Sequence, residues 1–190
     1  MATSLPPVIL LCLLFFSFVS LAERKSFSDE GLPSIPSTWK GSCETTSDFP
    51  STTCNRKIIR AKAFYRGYTA SLGNWLNETA GSLSPRDTEG HGTHTTSTAA
   101  GAVVNDAGFY EFATDEARDT TTKAKIVVYK ICWSKGCYDC DILTAMDQAI
   151  DDSIHIIYLS VGSSGYAPQY YRDSIVIGSF GAMQRHQYFP

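Results

Sequence analysis

No run of basic residues occurs in these 190 residues, whose formal net charge is −3. A row of phosphates would find nothing to neutralise it, so a nucleic-acid partner is not expected. Heptad runs, internal repeats and a collagen-like glycine period are also missing, which excludes coiled-coil, solenoid and fibrous architectures. After residue 22 no apolar stretch is long enough to span a bilayer. The apolar share of 43% is ordinary for a globular chain and argues against wholesale disorder. The length suits one domain of ordinary size.

The first 22 residues hold no charged side chain. Within them Val8 to Val19, VILLCLLFFSFV, is an unbroken apolar run apart from Ser17. It is short for a membrane span and of the usual length for the core of a secretory leader. Ser20 and Ala22 set small residues at the −3 and −1 positions of a cut after Ala22, although the segment before the run has no Lys or Arg. The expectation is a signal peptide over residues 1–22, secretion of residues 23–190, and no membrane attachment afterwards. A buried N-terminal helix fits less well, because the run has no polar face.

Export makes the cysteines pair. Of six, Cys12 would leave with the leader. Cys43 and Cys54 bracket a ten-residue loop in a region poor in apolar residues, where a cross-link helps most. Cys132 with Cys137 is the next pair, which leaves Cys140 as the odd thiol. Asn77-Glu78-Thr79 is a glycosylation sequon between glycine- and serine-rich flanks.

Residues 23 to about 90 are rich in Ser, Thr, Gly, Pro and Asn and read as loops, with a first strand over Lys57 to Tyr65. His91 to Ala102 is small and partly helical in character. Lys123 to Ile131 is β-branched and reads as a strand. Asp141 to Ile150 has helical spacing, and Asp141 suits the helix start. Ile154 to Val161 is nearly continuous in apolar residues, as in a strand covered on both faces. Asp173 to Met183 returns to helical spacing. Strands alternating with helices imply a parallel sheet with right-handed crossovers, hence an α/β fold.

The sharpest local signal is SPRDTEGHGTHT, Ser84 to Thr95. His91 and His94 lie on what reads as the first turn of a helix. The positive end of a helix disfavours imidazolium, and a neutral imidazole there can accept a proton. Gly90 and Gly92 let a partner chain approach closely. A structural role for the histidines stays open on the residues alone. So does a zinc site assembled from His91, His94, Cys137 and Cys140, for which disulfide pairing competes.

SPRDTEGHGTHTTSTAAG resembles the histidine block of the subtilisin-like serine proteases, and of the plant subtilases in particular. SFSDEGLPSIPSTWKGSCE, CNRKIIRAKAFYRGY, KAKIVVYKICWSKGCYDCDILTAMDQAI and IIYLSVGSSGYAPQYYRDSIVIG resemble other blocks of that family in the same order, over roughly residues 24–183. The resemblance implies part of a doubly wound parallel sheet with flanking helices. It makes His91 the general base of a catalytic triad. It assigns Leu159, Ser160, Val161 and Gly162 to the strand end that lines the substrate cleft, where a peptide or protein substrate adds like an extra strand. It implies no cofactor and no metal, and a secreted, extracellular place (the apoplast in a plant).

Other family blocks find no counterpart. The family's D-T/S-G-V/I-W-P-E-S aspartate motif belongs just upstream of Ser26, where only Glu23 echoes it. Nothing resembles the propeptide, the S-A-G-N block of the oxyanion hole, or the G-T-S-M nucleophile block. Asp119, Ser153 and Tyr158 stand where the family has glycine or smaller residues, and QRHQYFP departs from its pattern. The expectation is an incomplete catalytic domain, inactive alone. The alternative is a non-catalytic peptide-binding remnant or a pseudogene product.

Overall fold

The structure is a computed structural model and describes residues 9–13, 17–18, 25–73, 83–109, 112–162, 165 and 167–186. A four-stranded, all-parallel sheet forms its centre. In chain order its members are β1 (Ile9–Leu13), β3 (Ile58–Ala63), β7 (Lys125–Lys130) and β10 (Ile156–Leu159), and in space they run β10-β1-β7-β3. Between them lie β2 (Ser17–Phe18), β4 (Thr88–Glu89), the hairpin β5 (Val104–Phe109) and β6 (Phe112–Ala117), and the small ribbon β8 (Cys132–Trp133) and β9 (Gly136–Cys137). The helices are α1 (Arg66–Leu72), α2 (His91–Ala100), α3 (Asp139–Asp151) and α4 (Ser174–His186).

Strand β7 explains the layering. Every residue of KIVVYK is buried, and alternation sends its side chains to two cores. Val127 and Tyr129 pack with Ile142, Ala145, Met146 and Ala149 of α3. Ile126 and Val128 pack on the other face with Phe27, Phe49 and Ala100 of α2. Helices therefore cover both faces, as a doubly wound α/β sheet requires. Asp139 and Asp141 stand in the first turn of α3, where carboxylates oppose the positive helix end. The buried Asp141 carboxylate also accepts hydrogen bonds from the Gly67 and Tyr68 N–H groups and so caps α1.

Three lysines lie inside. Lys57 Nζ donates to the Thr122 and Ala124 carbonyls at 2.8 Å each, and Lys125 Nζ donates to those of Pro33 and Arg56. Lys130 Nζ donates to the Arg86 carbonyl at 2.7 Å and sits 4.3 Å from the centre of the Trp133 ring. Disulfides join Cys43 to Cys54 and Cys132 to Cys137, and Cys140 is an exposed thiol.

Two differences from the sequence reading stand out. Ile154 to Val161 reads as a strand covered on both faces, but β10 is shorter and lies at the sheet edge, with Ile156 47% exposed. Part of the expected leader, Ile9–Leu13, forms β1 between β7 and β10. Among the described residues no helix is long and apolar enough to cross a membrane.

Candidate active site

The residues singled out by the sequence converge on the carboxyl ends of the parallel strands, where α/β sheets carry their ligands. Leu159 ends β10, and Ser160, Val161 and Gly162 follow it. Lys130 ends β7, and its amine holds the loop that leads to the histidine. Strand β4 pairs antiparallel with β2, which sets Ser17 opposite Glu89, two residues before His91.

His91 is the first residue of α2 and is exposed. Gly90 before it has φ of +106°, a backbone conformation that disfavours other residues. Asp87 forms the inner support of this turn. One carboxylate oxygen accepts from the N–H groups of Glu89 (3.1 Å) and Gly90 (3.0 Å). The other accepts from the Thr93 N–H (2.8 Å) and the Thr93 hydroxyl (2.5 Å). Burial pushes the Asp87 carboxyl up to about 6, against the pull of the Thr93 bonds and of the Lys130 charge. The same burial pushes the Lys130 ammonium down to about 8, with Asp87 and Asp48 opposing it.

The segment before Asp87 is anchored as well. The Ser84 hydroxyl donates to the Asp48 carboxylate at 3.0 Å, and Arg86 Nε donates to the Asp48 carbonyl. A hydrogen bond joins the histidine helix to the strand end. Thr95 Oγ1 lies 3.2 Å from Ser160 Oγ. The Thr95 hydroxyl also lies 3.2 Å from the Gly92 carbonyl, and either hydroxyl can donate in the Thr95–Ser160 bond. Beyond Ser160, a side chain at Gly162 would meet nothing within 4 Å among the described residues.

His94 lies in the same turn as His91 and is exposed. Cys137, one member of the zinc reading, is committed to Cys132. Among the described residues, no group of three His, Cys, Asp or Glu side chains could hold a metal ion. Asn77 lies outside the described residues. The residues the sequence reading left without a role are Asp87, Thr93 and Lys130. An aspartate three residues before a glycine that opens a helix was the available signal for the first.

Residues 48–188 match the subtilase family of peptidases, S8. Over 161 residues the chain is 60% identical to Subtilisin-like protease SBT1.4 of Arabidopsis thaliana, a stretch covering 84% of this chain and 21% of that protein. It is 48% identical to Subtilisin-like protease SBT1.7 of the same plant over 163 residues, covering 86% and 21%. It is 39% identical to Subtilisin-like serine-protease S of Lotus japonicus over 165 residues, covering 86% and 22%. The chain thus spans about a fifth of the length of these curated relatives.

Proposed function

This chain belongs to the subtilase family, and on that premise we propose that it carries the proton-transfer part of a serine endopeptidase site, with His91 as general base. In such a site a serine hydroxyl attacks the scissile carbonyl. A histidine takes its proton and returns it to the leaving amine, a carboxylate orients the imidazole, and oxyanion donors hold the developing charge. An exposed imidazole at the start of α2 is open to a hydroxyl approaching from outside that helix. The peptide substrate pairs along Leu159, Ser160, Val161 and Gly162, where the open space at Gly162 admits a backbone. The observation that supports this reading is the Thr95–Ser160 link, which ties the His91 helix to that edge.

The same reading makes the protein a secreted glycoprotein. Residues 1–22 direct export, Asn77 takes the glycan, and no cofactor takes part. By itself the 190-residue chain is inactive, since it holds the histidine block without a match to the nucleophile block.

A chimera tests the catalytic role. Residues 26–183 of this chain replace the matching stretch of the 60%-identical Arabidopsis relative, which supplies the remaining blocks. The chimera is expected to cleave peptides, and His91→Ala is expected to lower its kcat by several orders of magnitude. An active chimera indifferent to His91→Ala would refute the assignment.

A further inference from the structure

We infer that Asp87 is the positioning residue of this site: by gathering Glu89, Gly90 and Thr93 onto one carboxylate, it fixes where α2 begins and therefore where the His91 ring is carried. This rests on the reading of His91 as the base and adds to it a residue that does not itself touch the substrate.

Four observations converge. The carboxylate is 1% exposed yet accepts four hydrogen bonds, and each donor lies within two residues of His91. Two donors precede the histidine and two follow it, so the clasp spans the helix start. Thr93 is buried at 3% exposure, so its hydroxyl is held away from solvent and aimed at Asp87. The Arg86 carbonyl is held by Lys130 at the end of β7, which references the clasp to the sheet. A chain of contacts therefore runs from the central sheet through Lys130, Arg86 and Asp87 to the turn that carries His91.

Gly90, in the left-handed region before α2, has no side chain of its own to cap the helix, and the Thr95 and Thr96 hydroxyls donate to the Gly92 carbonyl from within it. Replacing one carboxylate oxygen frees the donors on one side of the histidine, and removing the charge weakens the bonds on both sides. The charged groups facing Asp87 are Lys130 from β7 and Glu89 from β4. They act in opposite senses, and burial leaves Asp87 titrating at about 6.

The test uses the full 190-residue chain with 15N-labelled histidine, read by two-dimensional NMR of the imidazole rings across pH 5 to 8. In the unsubstituted chain the His91 signals are expected to carry an inflection that follows the Asp87 carboxyl, near 6. Asp87→Asn is expected to remove that inflection and to move the His91 signals by more than their linewidth, while the His155 signals stay put. Thr93→Val deletes one of the four bonds, keeps the side-chain shape, and is expected to move His91 in the same direction by less. Asp87→Glu, one methylene longer, is expected not to restore the original position. His91 signals that superimpose on the original in Thr93→Val, or in a folded Asp87→Asn, would overturn the inference. These signals report where the ring sits, so they succeed or fail independently of whether His91 acts as a base in the chimera.

Discussion

The hydroxyls of Ser160 and Thr95 lie 3.2 Å apart and share a hydrogen bond between the end of β10 and helix α2. It is a direct link between the segment that follows β10 and the helix that begins with His91. Ser160→Ala is expected to cost about 1 kcal/mol, the net worth of one such bond. Thr95→Val removes the same bond along with the one to Gly92. A double-mutant cycle in urea is expected to show coupling of about 0.5–1 kcal/mol between the two positions. Additive losses would mean that the two hydroxyls do not interact.

Strand β1 raises a question of a different kind. Leu10 and Leu11 stand in register with β7 on one side and β10 on the other. Cleavage after Ala22 would take this strand away and leave the inner edges of both neighbours unpaired. Residues 23–190 are therefore expected to be less stable than residues 1–190. Amides of Ile126 to Val128 and of Ile156 to Leu159 should exchange faster in the shorter form. Hydrogen-exchange mass spectrometry on both forms measures this. Equal protection would show that the sheet does not depend on β1.

Lys57 sets a pH dependence. Its amine is fully buried, and desolvation pushes it down to about 8, with Asp119 opposing and Lys125 assisting. The unfolded chain holds that proton up to its ordinary value of 10.5, so the native state releases it first. The contribution to stability is complete above 10.5 and is lost as pH falls through 8. Stability is therefore expected to rise from pH 8 toward 10.5, by up to about 3 kcal/mol from this residue. Lys57→Met should remove its share of the rise and leave that of Lys130, which is also held near 8. Urea titrations from pH 7 to 10 in a Cys140→Ser background, which prevents thiol exchange, would decide it. An identical slope in Lys57→Met would contradict the assignment.

These buried lysines also show where sequence reading stops. The strands over 57–65 and 123–131 were legible from their β-branched runs, and α3 from the spacing of Ile142, Met146 and Ala149. Lys57, Lys125 and Lys130 fall within those strands, and hydropathy cannot reveal carbonyls that another segment will supply. Lys57 finds its acceptors 65 and 67 residues away, and Lys130 finds its own 44 residues away. At the site, His91 and the Leu159 to Gly162 edge were legible from the family blocks, whereas the Asp87 clasp required coordinates. The β5–β6 hairpin went unread because all of β6 is exposed and leaves no apolar alternation.

The disulfide between Cys43 and Cys54 closes a short loop over the face where Phe27 and Phe49 are buried. Loss of such a loop closure, as in Cys43→Ser with Cys54→Ser, is expected to cost about 3 kcal/mol by the chain-entropy relation. Peptide mapping without reductant should recover the 43–54 and 132–137 pairs with Cys140 free. A dominant 137–140 bond would contradict the structure.

Catalytic silence of the chain on its own is the outcome expected under the proposed division of the site. A nucleophile needs a hydroxyl that can hand its proton to the base. Ser84 is fully buried and donates to Asp48. Ser97 donates to the His94 carbonyl, and Ser160 is hydrogen-bonded to Thr95. The nearest aspartate in sequence, Asp87, is occupied by four donors from the backbone and Thr93 and stands inside the turn. None of these residues matches the family's nucleophile or triad-aspartate block. The purified 190-residue chain is therefore expected to show no labelling by a fluorophosphonate probe and no peptide hydrolysis sensitive to His91→Ala. The chimera with the Arabidopsis relative, which brings the missing blocks, serves as the positive control. Stoichiometric labelling of one serine in the chain alone, abolished by His91→Ala, would mean that a substitute nucleophile lies within these 190 residues and that the division of the site proposed here is wrong.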